Sequence, residues 1–230
     1  MQAANNKTKP YVTYFFLSLN LIIFILTFLR FGTTQSSQAL LTMGANFRPY
    51  VILNQEWWRL VSATFIHIGL QHLLFNMLTL YFMGPELESI LGHLKFGLLY
   101  MGAGIGGNLT SFAFSNAISA GASTALFGMF ASFVVLAIIH PKSHYLWQRS
   151  RTFLILIILN LVNGLFTPGI DNWGHIGGLV FGGLLTYIIG SKASSSAPWY
   201  RRLLGLIFIG FFTYCLLKYG SDSFYNIYGR

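Results

Sequence analysis

Seven apolar runs, most of them near bilayer length and divided by short polar stretches, constrain this chain more than any other feature. They run from about Tyr11 to Leu29, Phe65 to Met83, Leu94 to Phe114, Ser123 to Ile139, Thr152 to Phe166, Trp173 to Ile189 and Leu203 to Tyr219. About 20 apolar residues cross a bilayer as a helix, and a helix satisfies its own backbone there. Charged residues are 8% of the chain, against about 25% in soluble domains. So few charges cannot cover a soluble surface. The reading is an all-α polytopic membrane protein, one bundle within 230 residues, with no room for a sizeable soluble domain.

The ends and the charges set an expected topology. Met1 to Lys9 is short and weakly basic, and the run after it is long for a signal peptide, so it reads as the first transmembrane helix. No Arg-rich amphipathic leader is present, which favours a bacterial plasma membrane. A net charge of +9 could suggest a nucleic-acid partner. The Lys and Arg are instead scattered through short loops, as positive-inside topology requires. With the N-terminus in the cytoplasm, nine of them fall inside (Lys7, Lys9, Lys95, Lys142, Arg149, Arg151, Lys192, Arg201, Arg202) and five outside (Arg30, Arg48, Arg59, Lys218, Arg230). The single cysteine, Cys215, lies in an apolar run and offers neither a disulfide nor a metal site.

Polar residues inside the apolar runs are the candidates for chemistry. Ser123 lies in Gly121-Ala122-Ser123-Thr124 at the start of the fourth run, and His175 in Trp173-Gly174-His175 at the start of the sixth. The expected topology puts both at the outer side and at similar depth. An intramembrane histidine is costly and usually faces a protein interior or a cavity. A serine beside it would be a nucleophile with its base. The alternatives are a serine bonded back to its own helix and a packing histidine. Free N–H groups at the helix start could stabilise an oxyanion. Gly178 and Gly182, with Gly128 on the fourth run, would allow the two helices to approach closely. Asp171 reads as a helix cap rather than a third catalytic residue. A ring stack on Phe127 could orient the imidazole instead.

His72 and Asn76, four apart, share a helix face and could both point at a developing charge. A metal pair or interhelical hydrogen bonding are the alternatives. Metal is disfavoured, because no His-Glu-x-x-His is present and carboxylates are few. His67, five residues before His72, lies on a somewhat different face. Trp58-Arg59 suits a membrane interface anchor.

Together these residues resemble the rhomboid family of intramembrane serine proteases. The matching pieces are Trp58-Arg59, His72-x-x-x-Asn76, Gly121-x-Ser123 and His175-x-x-Gly178-x-x-x-Gly182, in the family's order, from about Trp57 to Gly190. The resemblance implies a six-helix core with a seventh, C-terminal helix. The chain would divide into a cytoplasmic tail over 1–9, a protease core over 10–190, and a loop, extra helix and short outer tail over 191–230. Ser123 would be the nucleophile and His175 the general base. His72, Asn76 and the Ser123 N–H would form the oxyanion hole, with Gly121, Phe127 and Gly178 supporting the site. Trp58, Arg59, Glu88 and Gly182 would be structural, and Arg30 to Thr64 would form a membrane-embedded outer loop. The implied partners are transmembrane protein substrates and the lipid bilayer, with no cofactor, metal or nucleic acid. Thr124 departs from the family's usual glycine after the serine and would add bulk beside the nucleophile. A rhomboid-like protein that binds membrane clients with little or no catalysis is the alternative, and a small transporter a more distant one.

Overall fold

The structure, a computed structural model, describes residues 9–192 and 198–229, without the Arg201 side chain. Most of the expected cytoplasmic tail, 1–8, and the middle of the loop before the last helix lie outside the described residues. Ten α-helices form within the described residues: α1 Tyr11–Phe31, α2 Ser37–Met43, α3 Arg48–Leu53, α4 Arg59–Ser62, α5 Gly69–Leu91, α6 His93–Phe114, α7 Ser123–Ile139, α8 His144–Phe166, α9 Asn172–Ile189 and α10 Trp199–Tyr228. The seven long ones match the seven apolar runs. The fold is an all-α membrane bundle, and α2 to α4 fill the long segment between α1 and α5.

Three boundaries differ from the hydropathy reading, each for a local reason. Phe65 does not open the second span. It closes a 3-10 turn, Ala63–Phe65, and the chain bends 88° before α5 starts at Gly69, which has φ +78. The fifth helix begins at His144 rather than near Thr152, because Ser143 accepts a hydrogen bond from the Leu146 N–H and caps it. Its polar first turns hide it from hydropathy. The last helix extends from Trp199 to Tyr228, past the apolar run at both ends.

Among the described residues, α1, α8 and the Arg202–Tyr228 stretch of α10 are each long and apolar enough to cross a membrane, and α4 with α5 passes as a bent pair. The inner helices need not meet that test, because protein rather than lipid surrounds them. α7 is the centre, packed against α5, α6, α8 and α9. Its 17 residues extend only about 25 Å, less than the roughly 30 Å hydrocarbon layer.

Glycine sets the distance between inner helices. A Cβ on Gly182 would fall on the backbone of Gly128, and one on Gly178 on the carbonyl oxygen of Thr124. Helices α7 and α9 thus touch backbone to backbone, which only small residues permit. Below this contact, Ser132 and Thr186 hydrogen-bond across the same pair.

The segment between α1 and α5 is fastened by buried polar side chains. Arg59 is 3% exposed, with Nε donating to Glu56 at 2.5 Å and Nη1 to the Leu41 and Ala45 carbonyls at 2.7 and 3.0 Å. Its guanidinium also lies over the rings of Tyr50 and Trp58. It is a buried knot, not an interfacial anchor, whereas the neighbouring Trp58 is half exposed. Arg48 donates to the carbonyls of Phe112, Ala113 and Ser115 at the end of α6, at 2.6, 2.8 and 3.0 Å. At the opposite end, Glu88 accepts from the Val12 and Thr13 N–H groups at 3.0 and 2.8 Å and from the Thr13 hydroxyl at 2.6 Å, tying α5 to the start of α1. Charge-assisted bonds at a helix N-terminus suit an acid.

Candidate active site

The start of α7 collects the candidate residues from four elements. Gly121 has φ +139, and a Cβ there would lie 2.6 and 2.9 Å from the His72 ring and 3.6 Å from Asn76 Nδ2. Glycine is therefore required twice, for backbone angle and for space. The Gly121 N–H is held by the Ala63 carbonyl at 2.9 Å, and the loop turns into α7 with no side-chain cap. The Ser123 N–H belongs to that uncapped first turn.

Ser123 Oγ lies 3.0 Å from His175 Nε2. This is within reach for proton transfer between a hydroxyl and an imidazole. The His175 ring stacks on Phe127 with centroids 4.1 Å apart and planes 5° from parallel. Its Nδ1 is buried without a protein partner. Asp171 does not reach that nitrogen: its carboxylate accepts from the Gly174 N–H at 2.9 Å and from the Ser119 hydroxyl at 2.6 Å. Asp171 caps α9 and joins it to the loop before α7, which leaves the His175 ring in contact with Ser123 and Phe127.

His72 and Asn76 border the same space from α5. Asn76 is 6% exposed, and its Nδ2 donor is buried with no protein partner. A buried unpaired donor costs stability in the resting protein. It is also what an oxyanion would use. His67 lies behind, 1% exposed, with its ring 5.3 Å from that of His72 and its Nε2 accepting from the Ala122 N–H at 3.4 Å. Gln71 is exposed, on a different side of α5. Among the described residues no group of three or more His, Cys, Asp or Glu could hold a metal.

Thr124 turns out to be a packing residue. It is 3% exposed, and its side chain lies against Gly107 of α6 and Gly174 of α9. Its bulk fills the seam between three helices instead of crowding Ser123. Sequence reasoning also passed over Arg48, Asn108 and Ser119. Asn108 donates to the Leu60 carbonyl and the Thr64 hydroxyl, and accepts at its own carbonyl from Asn46. Asn108, inside the third apolar run, carried the same signal as Ser123, a polar residue where lipid-like neighbours are expected.

A family model for the rhomboid domain matches residues 54–192. The chain is 35% identical over 215 residues to "Rhomboid protease GluP" of Bacillus subtilis (strain 168), covering 94% of this chain and 41% of that protein. It is 39% identical over 156 residues to "RHOMBOID-like protein 4" of Arabidopsis thaliana, 67% of this chain and 39% of that one. It is 31% identical over 144 residues to "Putative rhomboid protease YdcA" of B. subtilis, 61% of this chain and 71% of that protein. The fold and these matches define an integral membrane protein of the rhomboid kind. The chain belongs to the rhomboid family. It spans about two fifths of the length of the first two relatives.

Proposed function

We propose that this protein is an intramembrane serine endopeptidase that cleaves transmembrane segments of other membrane proteins. The observation that carries the reading is the 3.0 Å contact between Ser123 Oγ and a His175 ring fixed by Phe127. Two relatives with protease in their names support it.

In this mechanism Ser123 attacks the scissile carbonyl while His175 Nε2 takes its proton. The oxyanion is held by Asn76 Nδ2, the His72 ring and the Ser123 N–H. His175 returns the proton to the leaving amine, and water resolves the acyl-enzyme. The Gly121 turn brings the α5 donors to the nucleophile, and the Gly178 and Gly182 contacts bring α9 to α7. Trp58, Arg59 and Glu88 act structurally. The protease core spans 10–190, with α10 added to it. The nine-to-five charge bias supports a cytoplasmic N-terminus. The active site then opens to the outer face of a bacterial plasma membrane.

A fluorophosphonate probe tests this reading, followed by peptide mapping of the purified protein. The expected adduct is on Ser123, absent in Ser123→Ala and strongly slowed in His175→Ala. An unlabelled Ser123 in folded protein would favour the client-binding reading.

A further inference from the structure

The loop into α7 and the start of α9 meet a second time, at Ser119 and Asp171. There the Ser119 hydroxyl donates to Asp171 Oδ2 at 2.6 Å. A hydroxyl on a carboxylate makes a short, strong bond. Its two residues stand as far apart in sequence as Ser123 and His175, 52 positions in each case. Each pair thus joins the same two segments, one set just ahead of the other.

Both partners are pinned. Ser119 is 6% exposed, and its backbone exchanges two 2.9 Å hydrogen bonds with Asn46 of the α2–α3 connection. Asn46 is held in turn by the Asn108 carbonyl of α6, to which its side chain donates at 2.8 Å. Asp171 Oδ1 accepts from the Gly174 N–H at 2.9 Å, and the Asp171 carbonyl accepts from the His175 N–H at 3.1 Å. A Cβ on Gly174 would fall 2.6 Å from Asp171 Oδ2, so glycine leaves room for the carboxylate against α9. A polar chain therefore runs from α6 through Asn46 and Ser119 to the first turn of α9.

His175 sits between two fixed points on its helix. After it, Gly178 rests on the Thr124 carbonyl. Before it, Asp171 holds the loop that delivers Ser123. The 3.0 Å gap between Ser123 and His175 is spanned from two separate helices, and a misplacement of about 1 Å can cost about 10²-fold in rate. We propose that Asp171 is a positioning residue, whose bond to Ser119 sets the distance between Ser123 and His175. This inference rests on the protease reading. It assigns the effect to the hydrogen bond and not to the negative charge.

The rate at which a fluorophosphonate labels Ser123 in the folded full chain, read beside thermal unfolding in detergent, tests it. Ser119→Ala keeps the α9 cap and loses the bond, and should slow labelling about tenfold. Asp171→Ser keeps a capping oxygen but falls short of Ser119, and should slow labelling equally. The double variant should be no slower than either single one, because both remove the same bond. Asp171→Asn offers one atom to the Gly174 N–H and the other to Ser119, and should restore labelling to within about threefold of wild type. Folded Ser119→Ala that labels at the wild-type rate, whatever its melting temperature, would overturn the proposal, as would losses that multiply in the double variant. Asp171→Asn as slow as Asp171→Ser would overturn it too, by showing that the charge acts on His175. Wild type unlabelled at Ser123 would instead sink the protease reading, and this inference with it.

Discussion

Ser123 and His175 stand on different helices, 52 positions apart, so their contact is only as good as the packing behind it. Asn76 separates chemistry from packing most cleanly. Asn76→Ala removes a donor that has no partner in the resting protein, so the fold should hold or gain stability. Turnover should fall about 10²- to 10³-fold with little change in KM. A proportionate loss of melting temperature would mean that Asn76 is structural. Gly121→Ala should do the opposite, forcing a methyl toward His72 at a φ of +139. That costs stability by about 1–3 kcal/mol as well as activity, read by thermal unfolding in detergent. Thr124→Ser, which keeps the hydroxyl but empties the seam at Gly107 and Gly174, should destabilise by about 1 kcal/mol. Its turnover should stay within a few-fold of wild type. A large change in substrate choice would contradict the packing role.

The short helices between α1 and α5 are tied together by Arg59 as well as by the burial of Leu40, Val51, Ile52 and Leu60. Arg59 joins α2, α3 and α4 through one guanidinium, which donates to the Glu56 carboxylate and the Leu41 and Ala45 carbonyls and lies over the Tyr50 ring. Arg59→Lys cannot reproduce that fork, so a loss of about 3 kcal/mol or more is expected in unfolding, and Arg59→Ala should behave alike. Such knots are the part of the fold that sequence hides. The long helices are legible because apolar runs and glycine turns are local signals. Ser123, His175, His72 and Asn76 are legible because polar atoms inside those runs demand a reason. The carbonyl partners of Arg48, the partners of Asn108 and the Ser119 partner of Asp171 are not local: they lie 44 to 67 positions away. Thr124 misleads for the same reason, since sequence adjacency to Ser123 says nothing of which helix seam its methyl fills. The early start of α8 escapes because Gln148, Arg149 and Arg151 follow its capped first turn and lower the hydropathy there.

At the scale of the whole molecule, α8 is unevenly held. Its buried residues, Leu146, Ser150, Phe153 and Ile157, all lie in its first two thirds. Arg149 pairs with Glu86 of α5 at that same end, at 2.9 and 2.5 Å. Beyond Ile157 the helix presents Ile158, Leu159, Val162, Leu165 and Phe166 outward. That end lies on the Ser123 side of the bundle, where Asn172 of α9 donates to the Leu161 carbonyl. Amide exchange in detergent should be faster over 158–166 than over 146–157, as expected for a segment with few buried contacts. Uniform protection along α8 would remove this argument.

The most direct test of the central claim is cleavage of a transmembrane substrate by the purified protein in liposomes, comparing wild type with Ser123→Ala and His175→Ala, with and without a metal chelator. Cleavage by wild type that is insensitive to chelator, and falls by about 10²-fold or more in each variant, is the expected result. Cleavage that survives in Ser123→Ala would contradict the account, because in it the acyl-enzyme forms on Ser123.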